Sequence, residues 1–316
     1  MKQCSASITG VGHYLPTAIL TNQELALRVE TTDEWIQKRV GISSRHIANA
    51  DETTVMMATQ AARAALDQAG LMASQIELII VATSTPDDLM PSTASSVQAR
   101  LGIPLTMAFD ISAACSGFIY ALHVAHTFFK TQQIQHALII GAECMSKVLD
   151  WSDRSTCVLF GDGAGAVVLS ASETPGLIHS CVYSNGTERD LLYINNSTSE
   201  RYLKMQGNKV FRQAVNLLGD VVETILKISG YQKSDLDWLV PHQANIRIIE
   251  ATAQKLGLKM SQVIVTLDHH GNTSAASIPL ALSEAVSTGR IQRGQLLLLE
   301  AFGAGFVWGA SLVRYL

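Results

Sequence analysis

The chain has 316 residues, of which 47% are apolar and only 16% charged; an average globular chain is about 25% charged, so disorder is excluded and core material is ample. A net charge of −4 excludes a generally nucleic-acid-binding chain. No apolar run reaches the ~18 residues of a membrane span, and the opening MKQCSASITGVGHYLP lacks the apolar stretch of a signal peptide. The expectation is a cytoplasmic protein with no membrane insertion, its surface buried in layered sheets or against another subunit.

In chain order, a helix is predicted over 51–70, capped by Asp51 and stopped by Gly70. IELIIV (76–81) and AFDIS (108–112) read as buried strands, and 114–130 as a helix apolar nearly all round. ALII (137–140) is a further strand, and FGDGAGAVVLS (160–170) a glycine-rich hairpin. The same order then returns. LDWLVP (236–241) follows IELIIV at an offset of 160, TLDHH (266–270) follows AFDIS at 158, and LLLL (296–299) follows ALII at 159. Helices are predicted over 245–256 and 273–286, and FGAGFVWGASLV (302–313) repeats the hairpin at an offset of only 142. The first half therefore carries about 17 extra residues, in MSKVLDWSDRSTCVLF. Two similar α/β halves are expected, 1–172 and 173–316, stacked as five helix–sheet–helix–sheet–helix layers.

Five cysteines, at 4, 115, 144, 157 and 181, form no CxxC pair, which disfavours a disulfide framework or structural zinc. Cys115 stands apart: it follows a strand, opens a buried helix and has small neighbours in Ala113, Ala114, Ser116 and Gly117. A helix N-terminus favours thiolate over thiol, making Cys115 a candidate nucleophile. A buried cysteine is also a common small hydrophobe, the reading given to the other four. His242, in LVPHQAN, lies just past a strand end, where α/β proteins place ligands. Asn272, in HHGNTSAAS, takes the second-half position corresponding to Cys115. Pseudo-twofold packing of the halves would bring the three together. The adjacent His269 and His270 point apart in this reading, and His123 and His126 lack carboxylate neighbours, so no metal is expected.

These residues sit in long motifs: TTDEWIQKRVGISSRHIA, AACSGF, GDGAGAVVLSAS, WLVPHQANIRII, LDHHGNTSAAS and EAFGAGFVWGASLV. Together they span nearly the whole chain, which resembles β-ketoacyl-[acyl-carrier-protein] synthase III of the thiolase-like superfamily. The resemblance implies a thiolase-like fold and an initiating condensing enzyme of type II fatty-acid synthesis, with no cofactor. An acyl-CoA, first among them acetyl-CoA, would acylate Cys115. Decarboxylative condensation with malonyl-[acyl-carrier-protein] would follow, with His242 and Asn272 as partners. The backbone N–H groups of Cys115 and Ala304 would form an oxyanion hole, although relatives often carry glycine at the latter position. CoA would meet Trp35, Arg39, Arg154, Gly207, Asn208, Phe211 and Asn245. Met90 would stand at the acyl pocket, near the interface of a homodimer.

The carrier protein would meet Gln243, Ala244, Asn245, Ile246 and Arg247. Residues 201–260 hold nine basic and five acidic side chains, a net of +4, which leaves −8 elsewhere; a basic face suits phosphates and an acidic carrier. Arg247 could equally pair with Glu250 three residues on. Other readings are a non-catalytic acyl- or carrier-binding subunit, a Cys–His–Asn acyltransferase of secondary metabolism with a longer primer, and a Cys–His hydrolase.

Overall fold

The computed structural model describes residues 5–195 and 201–316; Cys4 lies outside them. The elements that frame the site are β1 (Ser5–Tyr14), α1 (Asp33–Val40), α2 (Thr54–Ala69), β2 (Leu78–Ala82), α3 (Thr93–Leu101), β3 (Met107–Ile111), α4 (Gly117–Lys130), β4 (His136–Cys144), β5 (Asp162–Ser172) and β6 (Leu177–Ser184). They continue with α5 (Gly207–Ser229), β7 (Trp238–Pro241), α6 (Ile246–Leu256), α7 (Ser277–Ser287), β8 (Leu296–Gly303) and β9 (Val307–Arg314).

The first sheet runs β1-β5-β4-β2-β3 and the second β6-β9-β8-β7. Position by position the senses agree: β4 is antiparallel to β5 and parallel to β2, as β8 is antiparallel to β9 and parallel to β7. The repeat in the sequence is thus a repeat in topology, with one difference. AFDIS becomes the edge strand β3, but its expected counterpart, TLDHH, folds as a short helix, Leu267–His270. A single bridge between Leu239 and Val263 is what remains there of strand pairing.

Alternation along the strands sorts the core into layers. On β4, Ala137 and Ile139 face the middle of the molecule, while Leu138 and Ile140 face the outer helices α2 and α3. On β8, Leu297 and Leu299 face the middle, and Leu296 and Leu298 pack beneath α5 and α6. Between the sheets lie α4 and α7, contributing Phe118, Ile119, Leu122, Ile278, Ala281 and Leu282 to one shared core. Bringing α7 onto the first sheet needs a glycine: a Cβ at Gly141 would collide with the backbone oxygen of Ala275.

One local expectation needs correction. The cap of α2 is Thr53, whose hydroxyl accepts from Met56 N, while Asp87 accepts from Thr54 N and Val55 N. Asp51 lies too far before the first turn to reach those donors. The extra residues of the first half are 145–161, between β4 and β5; the second half replaces them with the tight turn 304–306.

Candidate active site

Cys115 sits on a strained elbow. Ala114 has φ 43°, a left-handed value that a residue with a Cβ rarely adopts, and it opens a 3-10 turn, Ala114–Ser116, ahead of α4. Ser116 Oγ donates to Val307 O at 3.0 Å, tying the elbow to β9. A Cβ at Gly303 would fall 2.7 Å from Cys115 N, so the end of β8 presses directly on the nucleophile's backbone.

The second half has the same elbow: Ser274, with φ 50°, opens the 3-10 turn Ser274–Ala276 before α7. Aligning the two left-handed residues makes Ala275, not Asn272, the counterpart of Cys115. Asn272 lies three residues earlier, at the mouth of the turn. The residues still converge, because the elbows pack against each other across the middle layer.

Asn272 is held on three sides. Its N–H donates to Leu159 O, its carbonyl accepts from Gly161 N, and Oδ1 accepts from Ser274 N at 2.9 Å. With Oδ1 engaged, Nδ2 is left to donate into the cavity. The holding segment is the inserted one, itself anchored by buried Arg45, which donates to Val158 O and Asn22 Oδ1 at 2.8 Å each. Burial lowers the Arg45 pKa to about 10.

His242 follows β7, its N–H on Glu300 O at 2.8 Å. Nδ1 lies 2.6 Å from Ser277 Oγ, which also accepts from Gln243 N at 3.3 Å. A Ser277 hydroxyl that accepts from Gln243 N and donates its own hydrogen to Nδ1 puts the ring proton on Nε2. Burial pushes the His242 pKa down to about 3, so the imidazole is neutral at neutral pH.

Cys115 departs from expectation. Burial pushes its pKa up to about 12; the Ser274 hydroxyl opposes this and the Glu143 carboxylate adds to it. The resting group is a thiol rather than a thiolate, although Cys115 keeps part of its surface open. Glu143 is itself buried, receiving Thr85 Oγ1 at 2.6 Å and Ser84 N at 3.0 Å, and burial raises its pKa. The Ser274 hydroxyl draws that pKa down, although Oε1 makes no hydrogen bond of regular geometry.

Two cavities meet at the thiol. One, of about 310 Å³, is lined by Cys115, His242, Asn272 and Phe302, and also by Trp35, Arg39, Arg154, Gly207, Asn208, Phe211, Asn245 and Arg247. Every residue assigned to CoA by resemblance is on this wall. Arg154 stacks 4.9 Å over the Trp35 ring and donates to Glu30 O, and Asn245 caps α6 while donating to Arg39 O. The other cavity, of about 460 Å³, is lined by Cys115, Ser84, Ser112, Ser274, Ala304 and Tyr193 among others. Alanine fits at 304 because the left-handed residue of that turn is Gly305, at φ 143°.

Some assignments fail or shift. Gln243 is 1% exposed. Its amide bridges Pro241 O, Ile264 O, Thr266 N and Leu267 N, so it braces the fold and cannot meet a carrier protein. Ile246 packs against Gly41, Ala244 lines the first cavity, and Arg247 stacks 5.1 Å over Phe211, with no ion pair to Glu250 among the described residues. Met90 is 84% exposed and lines neither cavity. Cys144, Cys157 and Cys181 are buried and free, as expected. Ser277, Ser274 and Glu143 were not foreseen; the repeat carried a signal for the first two, since they occupy the second elbow.

Two family models match: "3-Oxoacyl-[acyl-carrier-protein (ACP)] synthase III" over residues 109–186 and its C-terminal counterpart over 226–315. A β-ketoacyl-[acyl-carrier-protein] synthase III of Methylococcus capsulatus is 54% identical over 98% of both chains. One from Rhodospirillum centenum is 55% identical, again over 98% of both. The crystal structure of the Aquifex aeolicus 3-oxoacyl-[acyl-carrier-protein] synthase III superposes with a TM-score of 0.95 at 48% identity, covering 98% of this chain and all of that one.

Proposed function

The chain belongs to the β-ketoacyl-[acyl-carrier-protein] synthase III family, and from that premise we propose a division of labour among Cys115, His242 and Asn272. The enzyme is an acyltransferase of thiolase-like fold, the initiating condensing enzyme of fatty-acid synthesis. The observation that carries the proposal is the convergence of the thiol, a neutral imidazole and a pinned amide on one cavity wall.

In the first half-reaction, Cys115 Sγ attacks the carbonyl carbon of an acyl-CoA such as acetyl-CoA. The carbon–sulfur bond to CoA breaks, and the thiol proton leaves on the CoA sulfur. Burial that pushes the thiol pKa up favours departure of this proton during the attack. The elbow's position ahead of α4 supports the developing charge. The backbone N–H groups of Cys115 and Ala304 receive the carbonyl oxygen.

In the second half-reaction, malonyl-[acyl-carrier-protein] loses CO₂, and the electrons of the broken carbon–carbon bond move to its thioester oxygen. His242 Nε2–H and Asn272 Nδ2–H donate to that enolate oxygen; one such donor contributes about 3 kcal/mol to the transition state. The enolate carbon attacks the acyl carbon and the bond to Cys115 breaks. The sulfur takes up a proton, and 3-oxoacyl-[acyl-carrier-protein] departs. One proton from solvent, taken up by the sulfur as the malonyl carboxylate leaves as CO₂, balances this sequence with no cofactor.

The first cavity takes the CoA arm, with Trp35 and Arg154 for the adenine end, Arg39 for phosphate, and Gly207, Asn208, Phe211 and Asn245 along the tunnel. The second receives the acyl chain. The basic segment 201–260, with Arg247 at its rim, receives the carrier protein. Residues 1–172 supply the nucleophile and the CoA contacts Trp35, Arg39 and Arg154, and 173–316 the two enolate donors with the remaining CoA contacts. A second copy covers the apolar surface of Leu89, Met90, Leu105 and edge strand β3, placing Met90 near a partner's acyl pocket. Among the described residues, no helix is long and apolar enough to cross a membrane; we assign the enzyme to the cytoplasm.

Intact-mass measurement after incubation with a panel of short and medium acyl-CoAs tests the first step. A single acyl adduct is expected on the native chain and none on Cys115→Ser. An adduct that survives the substitution, or none with any acyl-CoA, would overturn the assignment.

A further inference from the structure

A second cluster of chemically active side chains lies beyond the catalytic loop. The short helix Leu267–His270 turns the adjacent histidines toward the same carboxylate, rather than apart as the sequence suggested. His269 Nε2 and His270 Nε2 each lie 3.1 Å from Glu284 Oε2, on α7, and the imidazole centroids are 4.2 Å apart. All three donor atoms fall within 4.8 Å of one another. Asp268 Oδ1 sits 2.9 Å from His269 Nδ1, on the side of the ring away from the cluster.

We propose that His269, His270 and Glu284 form a binding site for a divalent cation of the zinc class. Two imidazole nitrogens and one carboxylate oxygen form a donor set suited to zinc, with a fourth position for water. Ligands on a common tetrahedral zinc stand about 3.4 Å apart, close to the 3.1 Å that separates each Nε2 from Glu284 Oε2. The carboxylate behind His269 fixes the ring and its tautomer, the arrangement that orients metal-bound histidines. Charge agrees as well. Glu284 faces the cluster and Asp268 stands behind His269, and no Lys or Arg pairs with either among the described residues. These two carboxylates raise the His269 pKa to about 10, so a dication enters by displacing the His269 proton.

Access is graded: His270 is 3% exposed, fixed by burial, whereas His269 and Glu284 are 42% and 32% exposed, leaving one open side. Asn272 follows His270 by two residues, through Gly271 at φ 68°. A cation there would brace the loop that carries an enolate donor without touching substrate.

The test is calorimetric titration of zinc chloride into the full, chelator-stripped chain near pH 8, beside His269→Gln and Glu284→Gln, with near-ultraviolet circular dichroism confirming that both variants fold. One equivalent should bind the native chain, at least tenfold tighter than either variant, and raise its Tm by a few degrees. Cobalt substitution separates this site from the active-site thiol: visible bands without an intense thiolate charge-transfer band are expected. No binding, binding by both variants as tight as by the native chain, or a thiolate band from bound cobalt would overturn the proposal. Should a variant misfold, the cobalt spectrum of the native chain still decides between imidazole–carboxylate and thiolate ligation.

Discussion

Cys115 and His242 are both neutral at rest, one pushed up to about 12 and the other down to about 3 by the same burial. A thiol beside a neutral imidazole fits the proposed division of the two between different half-reactions. His242→Ala and Asn272→Ala should each keep acylation of Cys115, read by intact mass. Each should lower carbon dioxide release from malonyl carrier protein by about 10²–10³-fold. Equal loss of acylation would mean that the imidazole acts on the thiol instead. Glu300 offers a separate test. Both its carboxyl oxygens are buried without partners, and burial raises its pKa to about 8. Between the unfolded value of about 4.5 and 8 the folded chain holds a proton that the unfolded chain has lost. Stability contributed by this group is then full below pH 4.5 and falls as pH rises to 8, by on the order of 5 kcal/mol at most. Glu300→Gln should remove that slope, so its Tm advantage over the native chain should be larger at pH 8 than at pH 5. An advantage independent of pH would show an ordinary carboxylate.

At the scale of elements, two pieces position the chemistry. The inserted segment 145–161 carries Arg154 to Trp35 and, through Leu159 and Gly161, grips the backbone of Asn272. Helix α6 opens with Asn245 as its cap and sets Arg247 at the cavity rim over Phe211. Arg247→Glu should raise the KM for malonyl carrier protein about 5–10-fold, the scale of a reversed rim charge, while Cys115 acylation slows less than twofold. Equal slowing of both would place Arg247 on CoA alone. The insertion was legible as an offset falling from 159 to 142. Its grip on Asn272 was not, because backbone hydrogen bonds between distant segments leave no mark in residue type. The same limit explains Gln243: a polar residue after a strand reads as surface until its four backbone partners are seen. TLDHH was misread as a strand because five residues are too few to separate the two periods.

For the whole molecule, the repeat carried most of the fold. Two of the three offsets paired true strands, β2 with β7 and β4 with β8, and the elbows at Ala114 and Ser274 open the two helices expected to correspond. The register between elbows was the part out of reach. Small residues crowd both, and only the left-handed φ values show that Cys115 answers to Ala275. The halves meet so closely that Gly141→Ala should drive a methyl into the Ala275 backbone. We expect a loss of about 2–3 kcal/mol, seen as a Tm lower by several degrees with the sheets otherwise intact. An unchanged Tm would show that the middle layer yields freely.

The paired elbows have a consequence for ancestry and for dissection. Only one bears a thiol; the other ends in alanine, sealed behind the first sheet, yet its surroundings supply Ser274 beside the sulfur, Ser277 behind the imidazole and Asn272 at the mouth. The molecule is in effect a pair of twins sharing one chain, in which one twin bears the thiol and the other equips it. Neither could be an enzyme when severed from its sibling, however well it folded.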